Sequence, residues 1–63
     1  MYLVKLRCEG IDAEFKLTAE QTAYRTLQEI RELYYEPALT ALSGLLRRPV
    51  TLEDCNETLE WTP

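Results

Sequence analysis

The sequence predicts an α+β fold, and three observations predict it. Apolar and polar residues alternate over residues 2–8 and again over residues 11–17, on either side of Glu9-Gly10. Apolar residues then recur at helical spacing from Thr18 to Tyr35. A second helical band follows Pro37. The expected architecture is a single small α+β domain over residues 1–63. It has an N-terminal β-hairpin packed on a long helix, a second helix after Pro37, and a short C-terminal strand or short helix.

The hairpin rests on period-two patterning on both sides of a glycine. Tyr2, Val4, Leu6 and Cys8 share one face of the first strand, and Ile11, Ala13, Phe15 and Leu17 share one face of the second. A two-residue loop at Glu9-Gly10 pairs Cys8 with Ile11, Leu6 with Ala13, Val4 with Phe15 and Tyr2 with Leu17. The same register sets Arg7 against Asp12 and Lys5 against Glu14, which favours it by roughly 0.2–1 kcal/mol per pair. A four-residue loop sets Lys5 against Lys16, and a three-residue loop mixes the faces. Glutamate is not the preferred first residue of such a turn.

Thr18-Ala19-Glu20-Gln21 has the form of a capping box. The helix behind it is expected to run to about Tyr35. Ala19, Ala23, Leu27, Ile30, Leu33 and Tyr34 make its apolar stripe, which is expected to cover the hairpin. Gln21, Arg25, Glu29 and Glu32 fall on the solvated side.

Pro37 disfavours helical geometry at Glu36 and suits the first turn of a new helix. Ala38, Leu39, Ala41, Leu42, Leu45 and Leu46 form the band of that helix, and Arg47-Arg48-Pro49 ends it. Basic residues there suit the C-terminal dipole. The join at Pro37 is open between a bend, a kink and a corner. In the last segment, Thr51 followed by Glu53 and Asp54 reads as a helix start. Val50, Leu52, Leu59 and Trp61 also alternate as strands, and a third strand at Thr58–Trp61 is preferred.

Charge and composition narrow the function. Eleven acidic residues against seven basic ones give a net charge of −4. Nucleic-acid binding calls for the opposite balance, so Lys5, Arg7, Lys16, Arg47 and Arg48 are a disfavoured nucleic-acid surface. Acidic surfaces favour basic partners and solubility. The apolar content of 46% suits a globular chain rather than a disordered one. No apolar run is long enough to span a membrane. The start Met1-Tyr2-Leu3-Val4-Lys5 lacks the layout of a signal peptide, so a cytoplasmic location is expected. There Cys8 reads as a small core residue, and a disulfide with Cys55 is the expectation only for an exported chain.

The chain has no histidine, no Cys-x-x-Cys and no phosphate-binding glycine loop. Neither catalysis, a metal, a cofactor nor a small-molecule ligand is expected. Two features instead suggest protein contacts. Tyr24, Arg31 and Tyr35, with Gln28 beside them, cluster in a narrow arc of the long helix, and Tyr and Arg are enriched at binding hot spots. Packing of both tyrosines under the second helix or the C-terminal segment is the competing reading. The run from Glu53 to Pro63, with Glu53, Asp54, Glu57 and Trp61, surrounds an aromatic anchor with acids. A core tryptophan in an acidic tail competes with that reading.

The first functional expectation is a non-enzymatic protein-binding module, an inhibitor or adaptor of a larger host protein. In size, acidity and lack of catalytic residues the chain resembles small phage and mobile-element regulators. Some of these bind and block host enzymes that handle nucleic acid, sometimes by presenting carboxylates where phosphates would sit. The second expectation is a self-associating domain, a homodimer joined through Leu39, Leu42 and Leu46. Closure of that band by Leu52, Leu59 and Trp61 of the same chain is the monomeric counterpart.

Overall fold

Three antiparallel strands form one sheet, with the first strand in the centre. A computed structural model describes residues 1–62. Strand β1 spans Tyr2–Cys8, β2 spans Ile11–Leu17 and β3 spans Asn56–Trp61, in the spatial order β2-β1-β3. The hairpin register is the two-residue one, from Cys8↔Ile11 to Tyr2↔Leu17. Both cross-strand ion pairs form on the open face, Lys5–Glu14 at 3.4 Å and Arg7–Asp12 at 3.5 Å. Glu9 and Gly10 both take positive φ, at 49° and 80°, as a tight turn matched to strand twist requires. Glu9 is held in that unfavoured geometry by Arg48, whose Nε donates to its carboxylate at 2.9 Å. Arg48 thus serves the hairpin turn, rather than the helix end to which its position assigned it.

The expected long helix is two helices. Helix α1 covers only Ala19–Thr22, and α2 covers Leu27–Tyr34. Thr18 and Gln21 make the expected capping box on α1. A second box lies at Thr26-Leu27-Gln28-Glu29, where Thr26 caps the Glu29 amide and Glu29 reaches back. A cap of this kind starts a helix, so the chain leaves helical geometry before it. Tyr24 sits in the break at φ 58°. Ala19 and Ala23 are exposed, and the stripe covers less of the sheet than an unbroken helix would.

Helix α3 covers Glu36–Leu46 and follows α2 with only Tyr35 between them. Tyr35 keeps right-handed helical angles, and its carbonyl accepts the Leu39 amide at 3.0 Å. The join is therefore a bend at one residue. Arg47 ends α3 in left-handed geometry, φ 55°. The Ser43 hydroxyl then accepts the Val50 amide at 3.0 Å and turns the chain back to the sheet. Residues 51–61 resolve the C-terminal ambiguity by using both patterns. Thr51 starts a single 3₁₀ turn, Leu52–Asp54, and the strand follows at Asn56.

The core lies between the sheet and α2–α3. Val4, Leu6, Cys8, Leu17, Ile30, Tyr35, Leu42 and Val50 are buried. Tyr35 meets Phe15 edge-on, with ring centres 5.3 Å apart. No helix among the described residues is long and apolar enough to cross a membrane.

Candidate functional site

The break between α1 and α2 leaves one end of the apolar sheet face uncovered. A groove of about 250 Å³ opens there, lined by Tyr2, Leu17, Leu27, Ile30 and Leu59, with Thr22 and Arg25 at its edge. Each strand and α2 supplies at least one wall. Arg25 is fixed in place, since its Nη1 donates to the Gln21 carbonyl at 2.8 Å and to the Tyr34 hydroxyl at 2.9 Å. Its guanidinium also lies 5.7 Å from the Tyr34 ring centre. Leu27 is 42% exposed, Leu59 41% and Trp61 58%, so apolar surface is open at the groove and along β3 next to it. Trp61 is held edge-on against Tyr2, with ring centres 4.9 Å apart. Clustered exposed apolar side chains of this kind mark interaction sites on monomers.

The Tyr24/Gln28/Arg31/Tyr35 arc is not a single surface. Tyr24 is fully exposed in the turn before α2, and Tyr35 is 1% exposed in the core. Gln28 is exposed and donates to Glu32 at 3.2 Å. Arg31 and Tyr35 do meet, but around a third expected site residue, Glu57. The Arg31 guanidinium grips the Glu57 carboxylate with Nε at 3.3 Å and with Nη2, and the Tyr35 hydroxyl donates to the same carboxylate. Burial opposes the Glu57 charge, yet the hydrogen bonds from Arg31 and Tyr35 outweigh it and hold its pKa below the usual carboxylate value. Burial, then the carboxylate itself, push the Tyr35 phenol well above its usual value. Arg31 and Tyr35 are thus both engaged by Glu57 within the chain, with the Arg31 side chain still 35% exposed.

Asp54 is likewise engaged within the chain. It accepts the Thr51 amide at 3.0 Å and the Thr51 hydroxyl at 3.2 Å, and these bonds lower its pKa. Glu53 stays exposed. Leu42 is fully buried and Leu39 and Leu46 pack against the same core, so this leucine face of α3 is turned inward. The monomeric counterpart also needs correction: Leu52 joins the core, but Leu59 and Trp61 extend the sheet as β3. The groove was missed in the sequence because it exists only where α2 starts late. The Thr26/Glu29 capping box was the signal for it.

No known protein family matches the chain, and neither a characterised protein nor a solved structure is significantly similar to it.

Proposed function

We propose that the chain is a non-enzymatic protein-binding module, an inhibitor or adaptor that docks on a larger protein through the groove between α2 and the sheet. The observation that carries this reading is the set of exposed apolar side chains at the groove and beside it, Leu27, Leu59 and Trp61. Aromatic anchors in such settings dominate binding energies. The apolar lining suits an inserted apolar side chain, and the net charge of −4 favours an occupant of basic character overall, although Arg25 is basic at the groove's edge. Phosphate mimicry is the weaker version of the idea. Glu9, Asp12, Glu14, Asp54 and Glu57, five of the eleven acids, are within ion-pair distance of a base of the same chain, which interrupts the array of free carboxylates that imitation of a nucleic-acid backbone calls for.

Affinity capture compared across variants tests the reading. A protein retained by the parent chain, and lost on Leu27→Asp and Trp61→Ala with both variants still folded, is the expected result. Calorimetry with that purified protein should then show affinity falling as salt rises. Equal retention by parent and variants, or no salt dependence, overturns it.

A further inference from the structure

We propose that the outer edge of β3 is the interface of a two-fold dimer, in which two copies join their sheets with Leu59 paired to Leu59 of the second copy. This goes beyond the groove reading: it rests on the backbone of one strand, although the Leu59 and Trp61 side chains border both surfaces.

The direction of the free backbone groups follows from the end of the ladder. The Thr62 amide donates to the Met1 carbonyl at 2.9 Å, and the Met1 nitrogen donates to the Thr62 carbonyl at 3.2 Å. Met1 and Thr62 therefore form a hydrogen-bonded pair, and such pairs alternate along an antiparallel ladder. Leu3–Glu60, Lys5–Thr58 and Arg7–Asn56 are the next ones in the register. The N–H and C=O groups of Glu57, Leu59 and Trp61 consequently point away from β1. No backbone partner meets them among the described residues.

Natural sheets guard free edges with charged side chains, lysine above all, with inward-pointing charges, proline, a bulge or a covering element. β3 carries no lysine or proline, its inward-pointing Glu57 is neutralised by Arg31, and its register with β1 runs unbroken from Asn56 to Trp61, which leaves Glu60 on the open face as its one unpaired charge. The other edge differs. There Asp12, Glu14 and Lys16 carry the outward groups, and α3 packs against β2.

Self-pairing of β3 has few workable registers, because outward groups must meet outward groups. Centring on Glu60 sets two carboxylates face to face, which is unfavourable. Centring on Thr58 leaves Trp61 beyond the other strand. Centring on Leu59 pairs Leu59 with itself and Glu57 with Trp61, so every outward group is used. On the open face it sets Thr58 against Glu60, and no two acids meet. On the apolar face it brings the half-exposed Leu59 side chains together and sets Trp61 beside the Arg31–Glu57 pair of the second copy. The strand is self-complementary in charge in that register.

Sedimentation of the full chain from micromolar to millimolar concentration tests the proposal, with two substitutions of opposite sign. Thr58→Glu sets an acid against Glu60 of the second copy, but sets it against Lys5 within its own chain, where it is favourable. It should raise the dimer dissociation constant about tenfold without loss of melting temperature. Thr58→Lys should tighten the dimer while making a like-charge pair with Lys5 in the monomer. In hydrogen exchange, the Glu57, Leu59 and Trp61 amides should gain protection as concentration rises. A single-chain mass of 7.4 kDa throughout overturns the proposal. So does a dimer whose three edge amides stay unprotected, or protection of those amides by another protein on a chain that remains single.

Discussion

Glu57 lies directly across the β1–β3 ladder from Leu6, on the apolar side of the sheet. A carboxylate there is tolerated because Arg31 reaches it from α2 and Tyr35 from the bend between α2 and α3. The arrangement ties strand, helix and helix junction to one charge, and it makes stability depend on pH. The folded pKa of Glu57 is depressed, so its stabilising contribution is full above the ordinary carboxylate range and is lost as pH falls through the folded value. The folded pKa of Tyr35 is raised, so its contribution is full below the ordinary phenol value and is lost as pH rises above it. Thermal melting against pH should show a plateau with both limbs. Glu57→Gln should flatten the acid limb, and Tyr35→Phe should flatten the alkaline one at a cost of about 1–3 kcal/mol near neutrality.

Burial separates two leucines that share helical spacing in the sequence. Leu42 is fully buried, and Leu42→Ala should cost about 2–5 kcal/mol. Leu27 is 42% exposed at the groove, and Leu27→Ala should cost less than about 1 kcal/mol. Chemical denaturation of the two variants gives the comparison. Equal losses would mean that α2 lies closer to the sheet.

The break before α2 has two separable supports. Thr26→Ala removes the cap and should cost about 1 kcal/mol. Tyr24 holds a left-handed conformation with its ring in solvent, so Tyr24→Gly should stabilise the fold by up to about 1 kcal/mol. A fall in melting temperature for Tyr24→Gly would show that the ring packs on the fold.

The two cysteines close the same ladder. One step beyond Arg7↔Asn56 the register sets Cys8 opposite Cys55. Both thiols are free, and Arg48 Nη2 lies 3.6 Å from the Cys8 sulfur. Burial and the neighbouring Cys8 raise the Cys55 thiol pKa. Oxidised glutathione should convert the pair to an intramolecular disulfide, with two reduced glutathiones formed and both thiol protons accounted for. Closing so long a loop should stabilise the fold by up to about 4 kcal/mol. Mass spectrometry and melting before and after oxidation, with Cys55→Ser as control, check this. Mixed disulfides alone, with no rise in melting temperature, would show that the sulfurs cannot meet.

Much of the fold was legible because the strongest signals were local. The alternation from Tyr2 to Leu17 and the charges on Lys5, Arg7, Asp12 and Glu14 determined one register among three. The Thr18/Gln21 box and Pro37 marked helix starts that the structure contains. The long helix failed because periodicity from Ala19 to Tyr34 continues across a break that only the Thr26/Glu29 box announces. The site was less legible. Arg31, Tyr35 and Glu57 were all expected site residues, but their mutual contact spans more than twenty residues and depends on which strand edge β3 joins. Spacing alone cannot distinguish a tyrosine offered to a partner from one whose hydroxyl is used inside.

The central place of β1 also bears on how the chain acquires its shape. One of its neighbours arrives through a two-residue turn, but the other comes from the far end of the described chain, and the Met1–Thr62 hydrogen bonds join residues 61 apart. Loop closure of that span must precede any gain from the β1–β3 contacts, and such long-range pairing slows folding. The hairpin can form early, but until β3 docks, the backbone groups of Leu3, Lys5 and Arg7 lie on an open strand edge and Arg31 has no carboxylate to grip. The pairing of Trp61 with Tyr2 is therefore expected to be a late step in folding.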